Sequence, residues 1–244
     1  ETDDKPLVLT LPGCAAGRRR GLEATSPSQL EGGSTVNLGE LLHPDRSGAM
    51  NRGTIIHAWL EEICWLDEGM PDEVTLRQVA VRQDTTGIDI DQLLEQFHRM
   101  LQNESIAACL KRSTYQPPVD LPFSIAVQAE LAKEPLEVTV LPEQQIAARI
   151  DTSLMTGSID RLVLMRQGGK VVAADVIDFK TDEIGSDGES TVRDRTEFYR
   201  PQVEAYQRAV SKMYRIESER IVGRLLFLSA GIVRSLSLSQ TETE

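Results

Sequence analysis

A stripe of apolar side chains at helical spacing begins near Arg52. Its members recur every three or four residues and are Ile56, Trp59, Leu60, Ile63 and Leu66. Gly69 followed by Pro71 ends the pattern. The spacing therefore predicts a helix from Arg52 toward Gly69, with His57 beside its apolar face.

Three more segments have helical spacing, about 74–82, 89–102 and 104–111. The pair Pro117 and Pro118 then stops helix formation. Residues 47–115 are therefore predicted to form a helical part. Residues 1–46 are rich in Gly, Ser, Pro and Thr and have little periodicity, so they are predicted to be an irregular N-terminal segment.

After Pro122 the pattern changes to that of strands. Strands are predicted over 123–131, 136–141, Ser158–Met165 and Val171–Phe179. A turn at Gly168 and Gly169 joins the last two into a hairpin. The hydrophilic residues 141–157 fit no pattern that places them.

A helix is predicted from Pro201 to about Tyr214, because proline is tolerated in the first turn of a helix. Two final strands are predicted over about 221–229 and 231–238. The order of helices, strands, helix and strands predicts an α/β fold in one domain, residues 47–244, with its sheet core over 122–240.

Composition excludes several classes of protein. No apolar run approaches the roughly 18 residues of a membrane span, so we expect a soluble protein with no membrane partner. The three cysteines, Cys14, Cys64 and Cys109, have no metal-binding spacing and suit reduced thiols in the cytoplasm. Without an initiator methionine, the chain is expected to be a fragment of something longer.

Two carboxylates and a lysine carry the candidate chemistry. Asp160 lies on the first strand of the predicted hairpin, whereas Asp178 and Lys180 lie two residues apart on the second and share a face. Carboxylate oxygens are the ligands that Mg²⁺ prefers, and Lys180 could orient or help to deprotonate the attacking water. The alternative for a D-x-K tripeptide is a solvated edge or an ordinary ion pair.

Five motifs resemble, in order, those of the PD-(D/E)XK nuclease module in RecB and AddA helicase–nucleases. They are Ser26-Pro27-Ser28-Gln29-Leu30, Arg52-Gly53-Thr54-Ile55-Ile56-His57, Gly157-Ser158-Ile159-Asp160-Arg161, Asp178-Phe179-Lys180-Thr181 and Tyr199-x-x-Gln202-x-x-x-Tyr206. The resemblance implies a restriction-endonuclease-like fold, a central mixed sheet flanked by helices. It also implies a DNA exonuclease that uses Mg²⁺ or Mn²⁺ in recombination and repair.

The resemblance further implies a superfamily 1 helicase motor as partner, in the same polypeptide or in a complex. The chain would then be the C-terminal part of a helicase–nuclease. It has no four positioned cysteines, so no iron–sulfur cluster is expected. It also lacks a G-x-x-x-x-G-K-[ST] loop, so no ATP site is expected in this chain.

Roles for individual residues come from the same resemblance. It implies that His57, Asp160, Asp178 and the Phe179 carbonyl ligate the metal. It makes Asp160, Asp178 and Lys180 the catalytic residues. A histidine beside an apolar helix face is otherwise more often a core residue.

Auxiliary residues are also implied by the resemblance. Glu130 would be a site residue on the first strand of the sheet, although a solvent-facing strand residue is an equal alternative. Tyr199, Gln202 and Tyr206 would line the active site and touch DNA, together with Thr181. The alternative for Tyr206 is a core aromatic with a hydrogen-bonded hydroxyl.

The net charge of −12 has the wrong sign for a protein that grips phosphates by itself. The negative net charge is compatible with DNA binding if the basic groups lie on one face or if a joined partner delivers the DNA. Three arginines, Arg193, Arg195 and Arg200, could bind phosphates or simply balance Asp194 and Glu197. The competing function is a catalytically inactive nuclease-like scaffold that binds DNA or protein.

Overall fold

In the part of the chain that the structure describes, six strands form one mixed sheet. The structure is a computed structural model that describes residues 23–31, 46–116, 123–150, 153–182, 184 and 188–238. The strands are β1 (Glu23–Thr25), β2 (Glu137–Ile150), β3 (Ser153–Gln167), β4 (Lys170–Lys180), β5 (Ile221–Phe227) and β6 (Ile232–Leu236).

The longest strand, β3, organises the sheet. It pairs with β2 along its whole length, with β4 in an antiparallel hairpin, and with β1 in parallel at its start. On the far side, β4 pairs with β5 in parallel and β5 pairs with β6 antiparallel. The predicted α/β fold, a mixed sheet flanked by helices, is confirmed.

Helices cover the sheet. They are α1 (Arg46–Glu61), α2 (Glu73–Val81), α3 (Ile90–Gln102), α4 (Glu104–Leu110), α5 (Ile125–Leu131) and α6 (Gly188–Tyr214). Short 3₁₀ turns lie at Pro27–Leu30, Arg112–Tyr115 and Ser218–Arg220. No helix in the described part of the chain is long and apolar enough to cross a membrane.

The side chains of β4 alternate between two cores. Ile177 and Phe179 pack with α1 and α3 in one hydrophobic cluster, while Ala174 and Val176 pack with α6 in another. Because side chains alternate along a strand, Asp178 lies on the α6 face, as does Lys180 at the end of β4.

The predicted strand over 123–131 is wrong, because residues Ile125–Leu131 form helix α5. Ser124 caps this helix by accepting a hydrogen bond from the Val127 N–H at 3.4 Å. Val127 and Leu131, four residues apart, are buried, whereas Ile125 is exposed. That burial has helical periodicity, and short apolar segments are ambiguous between helix and strand.

Three other boundaries differ from the sequence-based predictions. The residues over 141–157 that no pattern placed belong largely to β2 and β3, which extend the hairpin well beyond its predicted strands. The helix predicted from Pro201 begins at Gly188 and contains that proline. Helix α1 begins at Arg46 and ends at Glu61.

Part of the predicted irregular segment, 1–46, joins the fold. Its described residues 23–31 contain β1 and the 3₁₀ turn Pro27–Leu30. Residues 1–22 and 32–45 lie outside the described residues.

Candidate active site

The sheet opens beside Asp160. The register between β3 and β4 ends at Arg161 and Ile177, and β1 pairs with β3 only over 153–155. In the gap, the backbone N–H of Phe179 donates to Oδ2 of Asp160 at 2.7 Å. At this fork, the gap between the diverging strands, the Asp160 carboxylate thus accepts the hydrogen bond that a backbone carbonyl of a neighbouring strand would otherwise accept.

Lys180 and Asp178 form the buried centre of the site. Nζ of Lys180 lies 2.8 Å from Oδ2 of Asp178, and it donates to Oε1 of Gln202 at 2.9 Å. The Tyr199 ring centroid lies 3.9 Å from the same Nζ. The ammonium group is therefore held by a carboxylate, an amide and an aromatic face.

Burial shifts the acid–base behaviour of this pair. Burial raises the pKa of Asp178 to about 6, even though Lys180 acts in the opposite direction. Burial lowers the pKa of Lys180, but the charge of Asp178 outweighs it and the pKa lies above its ordinary value. The lysine is therefore a cation near neutral pH.

Helix α1 places His57 beside Asp160. Nδ1 of His57 lies 3.6 Å from Oδ1 of Asp160, and its ring meets Phe179 edge-on at 5.9 Å. Burial lowers the pKa of His57, but the hydrogen bond and charge of Asp160 outweigh it, so the pKa is raised. Segments about 100 residues apart in the sequence thus meet at the fork. Side chains there take the place of the backbone hydrogen bonds that would otherwise join neighbouring strands.

Gly53 explains how α1 approaches so closely. It lies one helical turn before His57, and a Cβ at this position would stand 2.8 Å from Oγ1 of Thr181. Thr181 therefore lies against α1, just beyond β4. The R-G-x-x-x-H spacing combines a close-approach position with a site residue.

Glu143 is a site residue that the sequence analysis missed. Pro142 pairs with Arg161 and Gln144 with Ile159, so Glu143 lies across from Asp160. Ligand atoms of His57, Glu143 and Asp160 all lie within 4.8 Å of one another. Only the β2–β3 register could have identified it, because the sequence around it has no motif.

Glu143 also adopts an unusual backbone conformation. Its φ of 45° is in the left-handed region, which non-glycine residues rarely adopt outside turns and functional sites. Its side chain accepts a hydrogen bond from Ser158 Oγ at 2.7 Å. The carboxylate is therefore fixed in place at the fork.

The segment before α1 brings a further carboxylate. Glu31 follows the 3₁₀ turn Pro27–Leu30, and its Oε1 lies 3.8 Å from Nζ of Lys180. Gly157 makes room for this turn, because a Cβ there would stand 2.9 Å from Cδ of Pro27. Two of the sequence motifs therefore pack against each other.

The tyrosines and glutamine of α6 are buried behind the lysine. Nε2 of Gln202 contacts the Tyr206 hydroxyl at 3.4 Å, and the Tyr199 hydroxyl donates to Asp182 at 2.6 Å. Tyr206 also packs in the core beside α6. Its hydroxyl and ring therefore fit the core interpretation and the site interpretation together.

Glu130 lies elsewhere, which corrects its predicted place on the first strand. It is on α5 and forms an ion pair with Arg220. Both line a groove with Val172, near the start of β4. Asp178 is six residues further along the strand, roughly 20 Å at about 3.3 Å per residue.

Two of the three arginines near the start of α6, Arg193 and Arg200, lie beside acidic residues, in agreement with the charge-balancing alternative. Arg200 donates to Glu197 at 2.7 and 2.9 Å, and Nε of Arg193 lies 3.9 Å from Asp194.

An open groove of about 620 Å³ lies next to Lys180. It is lined by Glu31, Arg52, Gly53, Thr181 and Tyr199 among others.

The donor set fits a divalent cation. The carboxylates of Asp160 and Glu143 and the imidazole of His57, which the structure brings together, are ligand types that Mg²⁺ and Mn²⁺ accept, and Asp178 lies outside that group of three. Oδ2 of Asp178 is fully buried and, although Nζ of Lys180 lies 2.8 Å away, it accepts no well-aligned hydrogen bond from the described residues. A buried oxygen in that state is suited to bind a cation.

The family model of the PD-(D/E)XK nuclease superfamily matches residues 35–243. The chain therefore belongs to the PD-(D/E)XK nuclease superfamily. Membership implies a nuclease, a hydrolase of phosphodiester bonds with DNA as substrate, and members typically use divalent metals. None of the curated proteins compared with the chain matches it.

Proposed function

We propose that this chain is a Mg²⁺- or Mn²⁺-dependent deoxyribonuclease of the exonuclease type that processes DNA ends. The observation that carries the proposal is the meeting of Lys180 and Asp178, 2.8 Å apart, with Asp160 at the fork of the sheet. An ordinary solvated ion pair would not bury an acid to 2% exposure.

His57, Asp160 and Asp178 would hold the cation, with the Phe179 carbonyl and Glu143 completing the protein ligands. When bound, the cation supplies a Lewis acid that offsets negative charge on the phosphate. The raised pKa of Asp178, due to burial, favours this assignment. A cation nearby would stabilise the ionised carboxylate that burial disfavours.

Lys180 would orient the attacking water and offset charge on the phosphorane-like transition state. It is protonated, because Asp178 raises its pKa above the ordinary value. A protonated lysine donates hydrogen bonds and cannot accept the proton of the water. Gln202 and the Tyr199 ring fix its direction.

The biological setting is proposed from the RecB- and AddA-like motifs. A superfamily 1 helicase motor would feed DNA into the site during recombination and repair in the cytoplasm. The net charge of −12 supports a delivered substrate, because a tether raises the effective concentration of DNA without phosphate contacts of the chain's own. Thr181 and Tyr199, beside the groove, would contact the strand, while Gln202 and Tyr206 would line the site behind Lys180.

An assay on end-labelled DNA tests the proposal. Linear and circular substrates, single- and double-stranded, are incubated with Mg²⁺, Mn²⁺ or EDTA. We expect cleavage of linear DNA from its ends with either metal and none in EDTA. The matched control is Asp178→Ala, which must be inactive. Cleavage of circles would contradict the exonuclease assignment, and inactivity on all substrates would favour a scaffold.

A further inference from the structure

One buried side chain of strand β3 binds the backbone that directly follows helix α1. Arg161, 1% exposed, donates from Nη1 to the carbonyl of Ile63 at 2.7 Å and from Nη2 to the carbonyl of Cys64. Its guanidinium also lies 5.1 Å from the centre of the Trp65 ring. These acceptors lie two and three residues past Glu61, the last residue of α1.

This use of arginine is unusual for packing alone. In the described part of the chain, no carboxylate lies within ion-pair distance of Arg161, and its Nε has no hydrogen-bond partner. Asp175 attracts the guanidinium from beyond ion-pair distance but is already paired with Arg224, and burying a charge without a direct ion pair is costly. The rigid fork of a guanidinium, however, can hold two carbonyls in a fixed geometry, which a lysine cannot do.

The position of Arg161 in the chain places it next to the candidate site. Arg161 directly follows Asp160 on β3, and the two carbonyls that it binds lie six and seven residues beyond His57, just past the last residue of α1, Glu61. Gly53, in the middle of α1 and four residues before His57, lies against Thr181. Between these two points, Nδ1 of His57 stands 3.6 Å from Oδ1 of Asp160.

We propose that Arg161 is a positioning residue that holds α1 against β3 so that His57 and Asp160 face the same cation. The inference rests on the proposed function, since it takes His57 as a metal ligand. Arg161 itself touches neither metal nor DNA. It acts only through the placement of His57.

A double-mutant cycle on the full chain tests this positioning role. Mn²⁺ affinity is measured by calorimetry for the wild type, Arg161→Lys, His57→Ala and the double variant. We expect Arg161→Lys to weaken Mn²⁺ binding about tenfold, as supporting residues of metal sites do. In the His57→Ala background the same change should have no further effect.

Arg112→Lys is the matched control. Arg112 stacks on Trp65 at 5.2 Å, but its side chain pairs with Glu68 and donates to the Val138 carbonyl, not to the carbonyls of Ile63 and Cys64. It should leave Mn²⁺ affinity unchanged. If Arg161→Lys does not fold, Trp65→Leu removes the supporting ring and should weaken Mn²⁺ binding only when His57 is present.

The outcomes separate the two proposals. An equal loss from Arg161→Lys in both backgrounds, or no loss in either, overturns the positioning role while the nuclease assignment stands. If Trp65→Leu is the variant used, the same two results overturn it. If His57→Ala leaves Mn²⁺ affinity unchanged, the ligand role of His57 fails and the positioning role fails with it.

Discussion

The backbone N–H of Phe179 donates to Oδ2 of Asp160 at 2.7 Å, while Oδ1 of the same carboxylate lies 3.6 Å from His57. The Asp160 side chain therefore accepts the hydrogen bond of a backbone N–H with one oxygen and faces the candidate metal site with the other. Structural and chemical roles of Asp160 are coupled, and substitutions can separate them.

Asp160→Ala should lower the free energy of unfolding by about 1 to 3 kcal/mol, because the Phe179 N–H loses its acceptor. Asp160→Asn retains an amide oxygen and should lose less. Both variants should lack cleavage, since neither has a carboxylate for the cation. Urea unfolding in EDTA and a cleavage assay measure the two effects, and equal destabilisation by both would contradict this account.

Asp178→Ala and Lys180→Ala should both abolish cleavage but differ in metal binding. Loss of Asp178 removes a ligand and should weaken Mn²⁺ binding. Loss of Lys180 removes the cation that lies 2.8 Å from Oδ2, so Mn²⁺ should bind at least as tightly as in the wild type. Calorimetry decides this, with Lys170→Ala at the opposite end of β4 as an active control. Wild-type cleavage by either site variant would rule the assignment out.

The stability of the metal-free protein should fall as the pH rises through the titration of Asp178. Burial raises its pKa from 3.8 to about 6, so the folded state favours the protonated acid. The destabilising effect is absent below pH 3.8, develops up to about pH 6 and is complete above it. At roughly 1.4 kcal/mol per pKa unit, its size is on the order of 3 kcal/mol.

Asp178→Asn should therefore stabilise the metal-free protein at about pH 8, and the stabilisation should be smaller at about pH 5. Thermal unfolding in EDTA measures this. Adding Mn²⁺ should raise the melting temperature of the wild type more than that of the variant. A variant less stable than the wild type at the higher pH would show that the ionised Asp178 carboxylate does not destabilise the metal-free protein.

Gly157→Ala should destabilise the fold by about 1 to 3 kcal/mol, a typical effect of overpacking. The new Cβ would stand 2.9 Å from Cδ of Pro27, a ring atom that cannot rotate away. Pro27→Ala in the same chain should recover much of the loss by removing that atom. Urea unfolding of the wild type, the two single variants and the double variant tests this, and additive losses would contradict it.

Duplex DNA should bind the isolated chain weakly, and binding should fall steeply as salt increases. A protein with a net charge of −12 depends on a few local basic groups, whose phosphate contacts release counterions. Fluorescence anisotropy with catalytically inactive Asp178→Asn, across a series of salt concentrations, measures the slope. A tight complex that is insensitive to salt would contradict the delivered-substrate proposal.

The local patterns were sufficient for much of the fold. Helices α2, α3 and α4 lie within about a residue of their predicted bounds, because periodic burial and caps such as Asp89 and Asn103 are encoded in neighbouring residues. The D-x-K strand was equally clear, since Val176 and Ile177 precede Asp178 in an apolar run. Helix α5 was not, because seven residues are too few to separate helix from strand by periodicity.

By itself, the sequence determined that Asp178 and Lys180 share a face, because alternation along a strand is a property of the local backbone. Only the tertiary structure decided that Glu143 stands across from Asp160 and that Arg161 fastens the helix that carries His57. Those relationships depend on strand register and on contacts between segments nearly 100 residues apart. Such contacts are set by the packing of the whole core, so no local pattern of residues encodes them.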